Sequence, residues 1–591
     1  MEDLRRGVGM RRRQLVRAAV GVLTFTLSSG LAACGGDGHE ADGQKLSAHE
    51  SAAGSGAHEE GHTPLGDLSK VGAVEFPTSC EPNVQPEFKR AVALLHSFFY
   101  EEARRSFTSL LERDAHCGIA HWGVAMTWYH PVWSPPTEEE FRAGVAAIEQ
   151  AERIGAKTQL ERDYIAALAS FFCTPGTARP DGCPAAHAER ARRYTEAMRA
   201  LHDRYPKEQE IAAFYGLALL GSATPADPTY QNQREAGKVL DQVWRVNREH
   251  PGIAHYLIHA FDSPGLAEQG LPAAKAYAGI APHVPHALHM PSHTFVRRGL
   301  WHDSIRANLA SSEAARAYAA KYHPGAASFE ELHALDYLVY AYLQTARFAE
   351  AEAVGHQVAA MTKTHPEFDF AVAYAIGAIP ARLVLERQAW EKAAALPIPP
   401  RPFWGQFAFA EAHLEFARAV GRTRVADFAG ARRSIDRLGQ LRDAVTNPRF
   451  EYFRKHIDVQ IQAASGWLTV SEGGSDEGLR RLRDAADLED ALGKHPVSPG
   501  SVLPVRELLA QALMDADRPD EALAAFEASL GLNPGRFAAA QGAGRAAEKA
   551  GHTEAAVKHY RALLALAGSA DPASDPSLAH ARAFLDKFAP A

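Results

Sequence analysis

Toward the C-terminus small and apolar residues alternate with polar ones in short segments that return at a fixed interval. Ala522, Phe526 and Pro534 punctuate Asp520-Glu521-Ala522-Leu523-Ala524-Ala525-Phe526-Glu527-Ala528-Ser529-Leu530-Gly531-Leu532-Asn533-Pro534, and Ala556 and Tyr560 follow Ala522 and Phe526 by 34 residues each. Spacing of one helical turn inside a segment predicts helix, and a 34-residue return predicts stacked helix pairs. The pattern recurs with drift at Ala103 and Phe107, followed by Trp122-Gly123, at Ser304 after Gly299, at Phe348 with Ala351, and at Ala431. A helix pair exposes an apolar face that only its neighbour covers, so Ala and Gly belong at helix crossings and aromatics in the gaps between repeats.

These positions resemble the tetratricopeptide (TPR) consensus, and the expected fold is all-α, a TPR-like superhelix following a disordered N-terminal tether. The boundaries are 1–33 for a signal peptide, 34–75 for the tether, 76–245 for N-terminal repeats, 246–345 for a histidine-rich centre, 346–500 for further repeats and 501–591 for the C-terminal TPR pair. Composition agrees: the chain is 46% hydrophobic and 23% charged, with Ala-rich stretches and few β-branched runs. Gly542-Ala543-Gly544 precedes Ala-rich helix without a strand and is assigned to repeat packing, not to a dinucleotide fold. There is no Walker loop and no nucleophile elbow.

The first residues change the compartment. A basic stretch (Arg11, Arg12, Arg13, Arg17), an apolar run from Ala18 to Leu27, and Leu31-Ala32-Ala33-Cys34 resemble a lipoprotein signal with its lipobox. Cleavage before Cys34 and acylation of its thiol and freed amine would anchor the chain stably. Arg12-Arg13-Gln14-Leu15-Val16-Arg17 also resembles a twin-arginine export signal. The expected location is the bacterial envelope, facing the periplasm or cell surface, with the lipid the only membrane contact. From Cys34 to Val74 the chain is mostly Gly, Ser, Ala, His and Glu, too poor in large apolar side chains to order itself. An exported chain with four further cysteines favours two disulfides, Cys173 with Cys183 across a turn-rich loop and Cys80 with Cys117.

Formal charge is −8 overall, and removing the signal segment, with six Arg against Glu2 and Asp3, makes the remainder more acidic still. That balance lacks the basic footprint of a nucleic-acid binder, which is excluded as a main partner.

The centre is unusual. His250-Pro251-Gly252-Ile253-Ala254-His255-Tyr256-Leu257-Ile258-His259-Ala260-Phe261-Asp262 is followed by Pro285-His286-Ala287-Leu288-His289-Met290-Pro291-Ser292-His293, then by His333-Ala334-Leu335-Asp336-Tyr337. Seven of the 28 histidines fall within the 44 residues from His250 to His293. His255 and His259, one turn apart, leave the same helix face and can share an ion, with His289 and His293 completing a four-histidine site. Pro291 is expected to start a new helix between the latter two. Asp262 or Asp336 would serve as a carboxylate ligand or as the group that fixes a histidine tautomer, and His286 and His333 are further candidates. The ion would be a divalent transition metal such as zinc. The competing reading is that these are core histidines bonded to neighbouring backbone. Tyr129-His130-Pro131-Val132-Trp133 forms an aromatic loop, expected as a plug between repeats more than as a groove lining.

These histidine segments, with Lys494-His495-Pro496-Val497-Ser498-Pro499-Gly500, resemble a family of large bacterial TPR-domain proteins over Cys80 to Ala591. The resemblance implies an all-helical TPR fold and, through the lipobox, export. It supplies no catalytic residue, and enzymatic activity is not the first expectation. Two functions remain: an envelope scaffold gripping a protein or peptide partner on a concave TPR surface, and, as the alternative, a metal-binding or metal-dependent site at the histidine cluster.

Overall fold

The computed structural model describes residues 67–173, 186–223, 227–568 and 575–589. Within them the chain is a succession of α-helices, and the strands found are the two-residue pair Ala327–Ser328 and Thr364–His365, joined in parallel. The all-α helical-repeat expectation holds. Cys34, the signal segment, most of the tether and Cys183 lie outside the described residues.

Each helix packs on the next in sequence, and the C-terminal series runs Val505–Asp515, Pro519–Leu532, Phe537–Lys549, Thr553–Ala567 and Pro576–Phe588. Ala522, Phe526, Ala556 and Tyr560 are buried as the period requires. A Cβ on Gly542 would lie 2.3 Å from the Phe526 ring, and one on Gly544 2.5 Å from the Tyr560 ring, so these glycines admit the aromatics of the helices on either side. Gly123 does the same for Phe107, at 2.5 Å. Helix starts are set locally where the sequence provides caps: Thr137 and Thr158 each form a capping box, with Glu140 and Glu161, at Glu138–Ile154 and Gln159–Phe172.

The tether ends earlier than expected. Val71, Val74 and Phe76 are buried, and the Ala73 N–H donates to the Glu249 carbonyl at 2.9 Å. Gly72, at φ +86°, makes that approach possible, since a Cβ there would meet the Glu249 oxygen at 2.5 Å. With Leu68, four apolar side chains among polar neighbours dock the strip, a signal that composition averaged over the segment conceals. Cys80 and Cys117 form the expected disulfide, with Cα atoms 4.9 Å apart. Cys173 is also disulfide-bonded.

Helices distant in sequence meet at the centre. Gln85–His96 packs on Pro251–Ala260, and Phe329–Gln344 packs on Trp301–Tyr322, on Phe370–Glu386 and on Phe537–Lys549. Two arginines buried to zero exposure join these layers. Arg382 pairs with Asp336 and donates to the carbonyls of Gly500 and Ser501; Arg536 pairs with Glu386 and Glu507 and donates to the Tyr340 hydroxyl. A buried guanidinium is tolerated because its donors are satisfied in this way.

Candidate metal centre

The histidines come from three places. Pro251–Ala260 carries His255 and His259; Pro285–His289 and Pro291–Arg297 carry His286, His289 and His293; Phe329–Gln344 carries His333. Pro291 does open a new helix, but Met290 keeps helical dihedrals, φ −52° and ψ −36°, so the helical path continues and His289 and His293 still face one another. All six imidazoles are buried.

The four-histidine site expected from the sequence is divided in two. His255, His259 and His286 bring one nitrogen each within 4.8 Å of one another, and His289, His293 and His333 do the same. The physical reason is reach: His286, although on the same short helix as His289, has its ring 5.0 Å from His255, and His333 has its ring 4.3 Å from His289, both closer than the 5.9 Å between His259 and His293. In the first group His255 Nε2 lies 3.1 Å from His259 Nε2, and in the second His289 Nε2 lies 3.1 Å from His293 Nε2.

Tautomers follow from the neighbours. Asn308 donates its amide to the Ser304 carbonyl at 2.8 Å, which turns its oxygen toward His289; the His289 Nδ1–H donates to that oxygen at 2.7 Å. His293 Nδ1–H donates to Asp262 at 2.9 Å. His255 Nδ1–H donates to the His96 carbonyl at 2.7 Å. With both Nδ1 protons committed, neutral His289 and His293 present two Nε2 lone pairs to each other and cannot hydrogen-bond across the gap. Neutrality is favoured throughout: burial, then mutual repulsion, holds His259, His286, His289 and His333 well below the usual imidazole range, and burial takes His255 to about 3 and lowers His293 as well. His286 Nε2 and both ring nitrogens of His333 are buried without a hydrogen-bond partner. Core histidines that merely satisfied neighbouring backbone would not leave these atoms orphaned.

Asp262 takes the role of tautomer-fixing carboxylate. It also accepts from Lys494 Nζ at 2.7 Å and Arg297 Nε at 2.9 Å. Although burial opposes ionisation, those cations and His293 hold it well below the carboxylate range, while burial brings Lys494 down to about 8. Asp336, the other carboxylate expected at the cluster, instead neutralises Arg382, which no sequence pattern marked as a buried cation.

Aromatic rings enclose the cluster. Phe98 lies 4.3 Å from the His255 ring and 5.6 Å from His286, centroid to centroid. Trp133 lies 5.2 Å from His333 and 6.3 Å from His286, so the aromatic loop plugs the interior over the histidines themselves. Tyr337 sits 4.7 Å from His289 and is fixed by donating to the Ser498 carbonyl at 2.9 Å. That bond gives the Lys494–Gly500 segment its place: it enters between helices and presses Lys494 onto Asp262 and Tyr337 onto the cluster. Missed altogether by sequence reasoning were Asn308 and the His96–Glu210–His250 network, in which Glu210 bridges His96 Nε2 at 2.8 Å and His250 Nε2 at 3.0 Å beneath His255. His96 and Glu210 stand 114 residues apart, so no local pattern joins them.

Fold and interior together define a helical-repeat protein with a buried polyhistidine centre. No known family profile and no curated protein matches the chain. Among solved structures it is similar to the human IFIT1 dimer with m7Gppp-AAAA, at 11% identity over 76% of this chain and 90% of that one, with a TM-score of 0.37. It is also similar to yeast Tom70, at 10% identity over 85% and 96%, TM-score 0.28, and to Naa15/Naa10 bound to HypK-THB, at 13% identity over 85% and 74%, TM-score 0.21. At such scores the fold assignment rests on the chain's own helices.

Proposed function

We propose that this protein is an envelope metalloprotein whose helical repeats hold transition-metal ions in the central histidine cluster. The single observation that carries the reading is the opposed pair of His289 and His293 Nε2 atoms, 3.1 Å apart with both Nδ1 protons engaged elsewhere. For bonds of about 2.1 Å a 3.1 Å separation subtends roughly 95° at an ion, an angle that metal coordination uses and that nothing in an apolar core requires. His289, His293 and His333 would supply nitrogen ligands, with Asn308 and Asp262 orienting two of the rings. Export and lipidation at Cys34 are part of the proposal, supported by the signal-like N-terminus and by the Cys80–Cys117 disulfide, a bond suited to an oxidising compartment.

The test is elemental mass spectrometry on protein purified without a His tag, beside a His289→Ala/His293→Ala variant. Near-stoichiometric metal that falls in the variant supports the reading, and no metal after growth in replete medium sinks it. Replacing Cys34 by Ser should move the protein from the membrane to the soluble fraction; unchanged partition would refute the anchor.

Partner recognition by the repeats, the first expectation from sequence, becomes the second reading. Helical-repeat architecture supports it in general. It ranks second because Trp133 and the Lys494–Gly500 segment pack against the central histidine-bearing helices, whose polar side chains point to an ion and to no particular peptide.

A further inference from the structure

Resting on the metal reading above, we infer that the cluster is a dinuclear centre: two tris-histidine half-sites, His255/His259/His286 and His289/His293/His333, each holding one copper-class ion, with an anionic oxygen ligand bridging them.

Partition of the donors comes first. Each half-site has one pair of Nε2 atoms already 3.1 Å apart and a third histidine with a nitrogen within 4.8 Å of both. Ligand atoms around a tetrahedral ion with bonds of about 2.1 Å lie about 3.4 Å apart, so the third imidazole moves at most about 1.4 Å to close either set. The third histidines are His286, with Nε2 orphaned, and His333, with both nitrogens orphaned, which is where an unused ligand would stand. One ion cannot use all six donors, because the nitrogens fall into two groups.

The half-sites are neighbours. His259 and His293 have ring centroids 5.9 Å apart, and His286 and His289 6.1 Å. These contacts run between the groups, so ions bound on the inner edges of the rings face each other across a gap that a small ligand spans. Three nitrogens leave each ion an open position.

Charge selects the ion and the bridge. All six donors are imidazoles, which bind an ion as uncharged ligands, and no carboxylate belongs to either set. Asp262, the nearest acid, is already opposed by Lys494 and Arg297. Magnesium, calcium and manganese require oxygen-rich sets, whereas imidazole suits copper and zinc, with copper highest in the divalent affinity order. Two divalent ions in six neutral ligands would bury four positive charges, and a hydroxide-type bridge is the smallest species that reduces that charge while filling both open positions. Phe98, Trp133 and Tyr337 pack their rings directly against the histidines.

The experiment is loading of the full chain, stripped by chelator, with copper(II) salt followed by desalting, copper counting by mass spectrometry and electron paramagnetic resonance at low temperature. Two coppers per chain are expected, with a spin signal far below two per chain because the bridged ions couple. His255→Ala/His259→Ala and His289→Ala/His293→Ala should each retain one copper and show one full spin. One copper in the wild type, abolished by either variant, overturns the dinuclear assignment while sparing the metal reading; no copper and no zinc overturns both. Two coppers with two full spins overturn the bridge. Wild-type counting and spin intensity decide the matter even where a double variant does not fold.

Discussion

Replacement of Asp262 by Asn tests how the second half-site is kept ready for metal. Asp262 accepts through Oδ2 from His293 Nδ1 and Lys494 Nζ, and through Oδ1 from Arg297 Nε. An amide has one acceptor side. Whichever way the substituted carboxamide turns, its NH2 meets either Arg297 or the His293–Lys494 pair, donor against donor. The low-energy escape for His293 is to move its proton from Nδ1 to Nε2, where it donates to His289 Nε2 at 3.1 Å. That hydrogen bond consumes both ligand lone pairs, so ion affinity at this half-site should fall about 10- to 100-fold, or roughly 1.4 to 2.7 kcal/mol. The His255/His259/His286 half-site, with no contact to Asp262 closer than His259, should change little. Stability falls too, by about 3 to 5 kcal/mol, because Lys494 and Arg297 lose their buried counter-charge. A second change, Lys494→Met, should recover part of the stability and none of the affinity. The assay is competitive copper titration against a chromogenic chelator, beside urea denaturation of the same samples. Equal weakening of both half-sites, or affinity that returns together with stability in the double variant, would refute the tautomer argument.

Other consequences can be measured separately. Glu330 is buried beside Glu101, and burial, then that like charge, raises its carboxyl to about 8 from 4.5, so its folded form is disfavoured as pH rises from 4.5 toward 8. Glu330→Gln should therefore stabilise the protein by about 1 kcal/mol at pH 5, about 3 at pH 7 and about 5 at pH 9; a pH-independent difference in denaturation midpoint refutes the assignment. Cys80→Ser/Cys117→Ser opens a loop with a sequence separation of 37, worth about 4 kcal/mol on a chain-entropy basis, and a loss below about 1 kcal/mol would show that the helices alone constrain that loop. Gly542→Ala places a methyl where the Phe526 ring stands 2.3 Å away, and a loss of about 1 to 3 kcal/mol is expected by differential scanning calorimetry; an unchanged melting profile would mean that the ring is free to withdraw.

Sequence alone determined the repeat and its grammar. The 34-residue return of Ala522/Phe526 at Ala556/Tyr560, and the glycines facing aromatics, are local rules, because each helix pair is stabilised mainly by its neighbours and writes that need into its own residues. Histidine density from His250 to His293, the pairing of His255 with His259, and the Cys80–Cys117 bridge were legible for the same reason: the partners lie close in the chain or are of a rare type. Tertiary structure decided the rest. It divided four expected ligands into two sets, made His286 and His333, already candidates from the sequence, the third member of each, gave Asp262 to His293 and Asp336 to Arg382, and set Trp133 and Lys494 against the cluster. Those assignments depend on which helices meet at the centre, and Asp262 and Lys494, 232 positions apart, carry no periodic signal of that meeting. Only packing, which removes water from six imidazoles at once and leaves their lone pairs facing, turns a run of histidines into a candidate site.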